Sequence, residues 1–194
     1  MKRRVAILIS GRGSNMAALI EATKAADFPA EIVVVISNRA DAAGLERAGA
    51  SGIPTLVVES KPYGKDRAGF EAVLQQALDE WNVELICLGG FMRLFTAEFV
   101  QCWYGRMLNI HPSLLPSFPG LDPHGQALRA GVKLSGATVH FVIPATDAGL
   151  LAMARNMFGT VPICFLTACS SGWAPFSVAR VAPRGRQQPR WPQV

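Results

Sequence analysis

No apolar run in this chain of 194 residues approaches the roughly 20 positions that a membrane-spanning helix needs. Lys2, Arg3 and Arg4 are followed by only a five-residue apolar run before Ser10 and Gly11, too short for the core of a secretion signal. Cysteine is scarce. Cys87, Cys102, Cys164 and Cys169 fall into no C-x-x-C or histidine-spaced pattern, which argues against a metal cluster and predicts reduced thiols in a cytoplasmic protein. Histidine is scarcer, with three residues and no ligand spacing, so a zinc site is not expected. Acidic side chains are missing altogether from the last 45 residues. Residues 1–149 hold 14 Lys plus Arg against 14 Asp plus Glu, while residues 150–194 hold five Arg and no acid, so the net +5 sits wholly in the terminal segment. A nucleic-acid-binding body would carry clustered basic residues of its own, so such a partner is not expected. Half of the residues are hydrophobic and 17% are charged, which excludes a disordered or fibrous chain and leaves one globular domain as the natural reading.

What the chain does have is a regular alternation. Residues 5–9 form a continuous apolar run, the signature of a strand buried on both faces. Met16, Leu19, Ile20 and Thr23 then share one helix face. Residues 31–36 read as a second strand, rich in β-branched side chains. An Ala-rich helix over 41–50 and a short strand over 55–58 follow. Phe70, Val73, Leu74, Ala77, Leu78 and Trp81 keep strict helical spacing and predict a helix over 66–81 with Asp66 as its N-cap. Residues 84–88 predict a fourth strand ending at Gly89 and Gly90. Thr96 caps a short helix through Tyr104, residues 107–110 form a fifth strand, residues 126–130 a helical fragment and residues 137–142 a sixth strand. Strands alternating with helices predict an α/β fold with a doubly wound, mostly parallel sheet, whose ligands gather beyond the carboxyl ends of the strands.

Three polar segments fall at such ends. Ser10-Gly11-Arg12-Gly13-Ser14-Asn15 joins the first strand to the first helix. Its glycines let backbone approach a ligand, and the following helix start offers N–H groups and partial positive charge to a phosphate. The alternative is a tight turn with no ligand. Met16 replaces the third glycine of a dinucleotide fingerprint, no acid ends the second strand, and no Gly-Lys-Ser/Thr follows, so a small phosphate ester fits better than NAD or ATP. Asn109 and His111 stand two apart in an extended segment and point to one side, ahead of Pro112, Pro116 and Pro119. Such an amide and imidazole can bind a developing oxyanion and move protons, or the histidine is merely structural. Asp147, in a loop after the sixth strand, is either a loop cap or a carboxylate that raises the pKa of His111. His140 is read as a structural strand residue and His124 as an exposed turn residue.

Together these segments resemble the glycinamide ribonucleotide formyltransferase family, from about Val5 to Gly149. The matching motifs are residues 9–15, residues 89–93, Asn109-Ile110-His111-Pro112-Ser113-Leu114-Leu115-Pro116, and residues 138–142 with Asp147-Ala148-Gly149. The resemblance implies a Rossmann-like formyltransferase fold in a cytoplasmic enzyme of purine biosynthesis. It also implies transfer of a formyl group from 10-formyltetrahydrofolate to the amine of glycinamide ribonucleotide, with no metal, since an unprotonated primary amine is already a nucleophile. By that resemblance Asn109, His111 and Asp147 are catalytic, and Gly13, Ser14 and Asn15 hold the substrate phosphate. Arg67, Met92, Arg93, Leu94 and Phe95, with Asn109, bind the folate. The expected partners are the ribonucleotide and the folate, and the expected state is a monomer or homodimer, with no membrane association.

The resemblance stops at Gly149. Residues 1–149 are expected to be a catalytic domain incomplete at its C-terminal end, and residues 150–194 a divergent basic tail that is partly disordered. The abrupt change in composition suggests translation in a shifted reading frame, and a lineage-specific tail is the alternative; the coding DNA decides between them. Two further functions stay open: an inactive or weakened formyltransferase-like module that still binds folate or phosphate, or another formyltetrahydrofolate-dependent transferase. A tRNA-directed enzyme would need an RNA-binding extension that the short basic tail hardly supplies.

Overall fold

The structure is a computed structural model that describes residues 1–120 and 122–143 and the backbone of residues 164–167. Its strands are β1 (Arg3–Ile9), β2 (Ala30–Ser37), β3 (Thr55–Val57), β4 (Leu85–Leu88), β5 (Met107–His111), β6 (Ser135–Phe141) and β7 (Cys164–Thr167). Its α-helices are α1 (Ser14–Thr23), α2 (Ala43–Ala50), α3 (Arg67–Glu80), α4 (Ala97–Cys102) and α5 (Pro123–Arg129). Each predicted element is present, and boundaries differ by one to three residues. No helix among the described residues is long and apolar enough to cross a membrane.

The strands form one sheet in the order β3-β2-β1-β4-β5-β6-β7. From β3 to β5 every pairing is parallel. The period-2 geometry of β1 explains why helices cover both faces. Ala6 and Leu8 pack with Phe70, Leu74 and Leu78 of α3 and with Phe99 and Trp103 at α4. Val5, Ile7 and Ile9 point the other way, onto Met16 and Ile20 of α1 and Ala48 of α2. Burying a Leu, Ile or Phe side chain of this kind stabilises by roughly 1.5–3 kcal/mol, so the two-sided core fixes β1 as the centre of the molecule.

Two features break the simple pattern. The β1–β2 register skips one residue at Val33, so that Val5 faces Ile32 and Ala6 faces Val34. Val33 and Val34 therefore turn to the same cluster, and strict alternation along β2 is lost. β6 runs antiparallel to β5, and β7 antiparallel to β6, closing an otherwise parallel sheet. The reason lies in the connection. α5, at about 10 Å, is too short to carry the chain back along a sheet face. The chain after β5 instead stays near the start of β6, where the Thr138 hydroxyl donates to the Ser113 carbonyl (2.7 Å) and accepts from the Leu115 N–H (3.0 Å). Of the expected tail, β7 is the part within the described residues; the rest lies outside them.

α3 begins where the sequence places it. The Asp66 carboxylate accepts from the Gly69 N–H at 2.9 Å, an N-cap that satisfies one orphan donor of the first turn. α4 begins in the same way, with the Thr96 hydroxyl accepting from the Phe99 N–H at 3.2 Å.

Candidate active site

Register across the sheet brings the polar segments to one edge. Leu8, Leu88, Asn109 and His140 stand in one row across β1, β4, β5 and β6. The chain leaving β1 and the chain leaving β4 are tied together there, by the Gly89 N–H to the Leu8 carbonyl (2.8 Å) and the Ser10 N–H to the Gly90 carbonyl (3.2 Å). With strands about 4.8 Å apart, the end of β1 and Asn109 are two strands, or about 10 Å, from each other. The loop 11–15, the segment 89–95 and the Asn109–His111 stretch thus lie side by side at the carboxyl edge.

The loop after β1 is shaped for close approach. Gly13 is the N-cap of α1 with φ +67°, and α1 has no side-chain cap. A Cβ on Gly13 would lie 3.0 Å from Met16 Cε and 3.1 Å from the Gly44 Cα, so packing and conformation both require glycine there. The Gly44 N–H donates to the Gly11 carbonyl at 3.0 Å, which presses the start of α2 against the loop. Ser14 and Asn15 open α1, and the first-turn N–H groups carry the positive end of its dipole.

The segment after β4 alternates. Met92 (79% exposed) and Leu94 (54% exposed) turn outward. Phe91 and Phe95 turn inward and stack on each other with centroids 5.4 Å apart, in a ladder that continues to Phe70 and Phe99. Arg93 also turns inward. Its guanidinium lies 4.7 Å over the Phe70 ring and donates to the backbone carbonyls of Ser60, Gly64 and Asp66 at 3.2–3.4 Å. Its Nε is buried with no hydrogen-bond partner among the described residues. Arg93 therefore holds the loop that leads into α3, whose first residue is the exposed Arg67.

Asn109 and His111 share one side of β5, as the spacing predicts. Asn109 is half-buried and His111 is 6% exposed. Asn109 Nδ2 lies 3.2 Å from His140 Nε2, and His140 Nδ1 lies 3.2 Å from the Phe141 carbonyl. The carbonyl can only accept, so Nδ1 donates to it and Nε2 is the nitrogen that accepts from the Asn109 amide. That bond orients the amide. His111 Nε2 lies 3.2 Å from the carbonyl of Phe118, a residue held at φ +55° in the loop after β5. The contact of His140 with Asn109 was not foreseen from the sequence, which gave His140 a structural place. Its cross-strand position opposite Asn109 is a register, and register between β5 and β6 depends on the antiparallel turn of the chain.

Asp147 lies outside the described residues. His124 is exposed, as expected. Among the described residues no group of three or more His, Cys, Asp or Glu is placed to hold a metal ion. A cavity of about 510 Å³ between β3 and α3, lined by Leu56, Val58, Tyr63, Val73 and Ala77 among others, touches none of these site residues. A smaller one of about 160 Å³, lined by Leu114, Ser117, Phe118, Val132, Leu134 and Ser135, flanks the loop that reaches His111.

Known proteins are similar to this chain in sequence and fold. The formyl transferase family model matches residues 3–157. The human trifunctional purine biosynthetic protein adenosine-3 is 51% identical over 152 residues, which cover 78% of this chain and 15% of that protein. This chain thus spans a small part of the length of such trifunctional relatives. Phosphoribosylglycinamide formyltransferase of Bacillus subtilis is 42% identical over 147 residues, covering 76% of this chain and 75% of that one. The crystal structure of phosphoribosylglycinamide formyltransferase from Brucella melitensis superposes with a TM-score of 0.70 at 52% identity, covering 74% of each chain. With a family model matched over most of its length and a solved structure of 52% identity superposing at a TM-score of 0.70, the chain belongs to the formyl transferase family.

Proposed function

We propose that the protein transfers a formyl group from 10-formyltetrahydrofolate to the amine of glycinamide ribonucleotide. The observation that carries this reading is the Asn109 amide, oriented by His140 and set beside His111, one strand from the 89–95 segment and two from the glycine loop. Gly13, Ser14 and Asn15 hold the phosphate of the ribonucleotide through N–H groups at the start of α1. The folate lies along residues 92–95, against backbone polar groups and apolar side chains, and its carboxylates meet the exposed Arg67.

The chemistry follows from the groups in place. The amine nitrogen bonds to the formyl carbon, and the carbonyl π electrons move to oxygen. Asn109 donates its second N–H to that oxygen, and protonated His111 donates another hydrogen bond. Collapse re-forms the C=O bond and breaks the bond to the folate nitrogen, which leaves with a proton from His111. The proton lost by the attacking amine restores the imidazolium. Nε2 of His111 rests against the Phe118 carbonyl, so a transfer through that nitrogen exchanges this contact for the substrate. Asp147 is assigned to orienting His111 or a water and favouring the charged ring, on sequence grounds.

The test is turnover with the two substrates. Asn109→Ala and His111→Ala are each expected to lower kcat by about a hundred- to a thousandfold with the fold retained. Unchanged turnover in both variants refutes the assignment. Binding of a folate analogue without turnover by the unaltered protein favours the weakened module instead.

A further inference from the structure

A buried polar chain links four strand-end loops and is used by none of the steps above. Ser10 follows β1, Asn38 follows β2, Ser60 lies beyond β3 and Met92 lies beyond β4. These are four neighbouring strands of the sheet. The Ser10 hydroxyl donates to Asn38 Oδ1 at 2.6 Å and accepts from the Met92 N–H at 2.8 Å. Asn38 Nδ2 donates to the Ser60 hydroxyl at 3.0 Å, and the Ser60 N–H returns to the Asn38 carbonyl at 3.2 Å. The Ser60 carbonyl in turn accepts from Arg93 at 3.4 Å. Ser10 and Asn38 are each 7% exposed.

Two facts make this more than filling. The Met92 side chain is 79% exposed, so burial of that side chain does not hold residue 92 in place. Its N–H bond to Ser10 does. And Ser10 immediately precedes the loop 11–15, so one residue adjoins that loop through its backbone and segment 92–95 through its hydroxyl. A hydroxyl has one proton and two lone pairs, and here the proton goes to Asn38 while a lone pair takes Met92. A largely buried hydrogen-bonded chain of this kind adds little net stability but favours one arrangement.

We propose that Ser10 and Asn38 are positioning residues that fix the backbone at Met92, and with it the folate-binding segment 92–95, relative to the phosphate loop. The proposal rests on the functional reading above for what the segment binds. Asn38 sets the direction of the Ser10 hydroxyl, and Ser60 sets the direction of the Asn38 amide. The chain therefore passes the position of the β2 and β3 loops to the folate side of the site.

The test compares Ser10→Ala, Ser10→Cys and Ser10→Thr in the full chain. The cysteine variant keeps the size while weakening both bonds, in case alanine disturbs folding; threonine keeps the hydroxyl. Hydrogen exchange at the Met92 amide, measured without ligand, is expected to quicken by about fivefold or more in the first two variants and to stay near the original rate in the third. KM for 10-formyltetrahydrofolate is expected to rise by about fivefold or more in the same two, with kcat and its pH profile little changed, and to recover with threonine. A merely structural role would lower the melting temperature without that split between KM and kcat. If exchange and KM stay within about twofold in both Ser10→Ala and Ser10→Cys, the proposal is overturned. If the unaltered protein neither turns over nor binds a folate analogue, the functional reading fails, and exchange at Met92 still judges the link itself.

Discussion

Glu71 is an acidic residue in the middle of an apolar helix face, and its removal gives the sharpest test of how the segment ending at Phe95 is held. It is 5% exposed on α3. One carboxylate oxygen accepts from the Thr96 N–H at 2.6 Å and the other from the Thr96 hydroxyl at 2.5 Å. Thr96 in turn caps α4, and it follows directly on Phe95. Glu71→Ala leaves both donors unpaired and opens a small cavity. Each hydrogen bond to a charged group contributes about 1.5–3 kcal/mol, and two bonds to one carboxylate do not add fully, so the expected loss is about 3–5 kcal/mol. Glu71→Gln keeps an oxygen for the N–H, and its amide can donate to a second lone pair of the Thr96 hydroxyl, so about 1–2 kcal/mol is expected. At about 2–4 °C per kcal/mol for a chain of this size, the alanine variant should melt roughly 6–20 °C lower. Urea denaturation should show a lower midpoint at unchanged slope. An alanine variant within about 0.5 kcal/mol of the original protein refutes the reasoning. So does a glutamine variant as costly as alanine, because the hydrogen-bond geometry would then not be what matters.

His140→Phe keeps the ring and removes the acceptor for Asn109, so kcat should fall by about tenfold with KM values little changed; equal kcat would mean that Asn109 is oriented otherwise. Gly13→Ala places a methyl 3.0 Å from Met16 Cε on a residue at φ +67°, and should cost about 1–2 kcal/mol and weaken ribonucleotide binding, read by thermal melting and calorimetry. Burial pushes the Cys87 thiol from 9.0 up to about 11. The unfolded chain therefore loses this proton first, and stability falls as pH rises from about 9 to 11, by up to about 3 kcal/mol. Cys87→Ala should flatten that fall, and iodoacetamide at pH 8 should label the exposed Cys102 well before Cys87, as peptide mass spectrometry would show. Equal labelling would refute the burial argument.

Much of the molecule was legible in local pattern. The apolar run of β1 and the strict spacing from Phe70 to Leu78 report burial on two faces and on one, and both depend on near neighbours alone. Asp66 and Thr96 cap helices as expected, because a cap acts over three residues. Asn109 and His111 share a side because extended backbone alternates. The family resemblance was legible for the same reason, since its motifs are short and contiguous.

What sequence alone could not decide was who meets whom across the sheet. The guanidinium of Arg93 meets the Phe70 ring and the carbonyls before α3, partners that lie more than twenty residues away along the chain. The bulge at Val33 and the pairing of Asn109 with His140 are matters of register, and the reversal of β6 is a matter of the connection before it. The bond from Met92 to Ser10 spans 82 residues, and that from Asn109 to His140 spans 31. The chain's own periodicity therefore determined its elements and the motifs they carry. The tertiary structure decided which polar groups are paired, because hydrogen bonds and close packing between distant residues are selected by the order and direction of strands, which no local pattern contains.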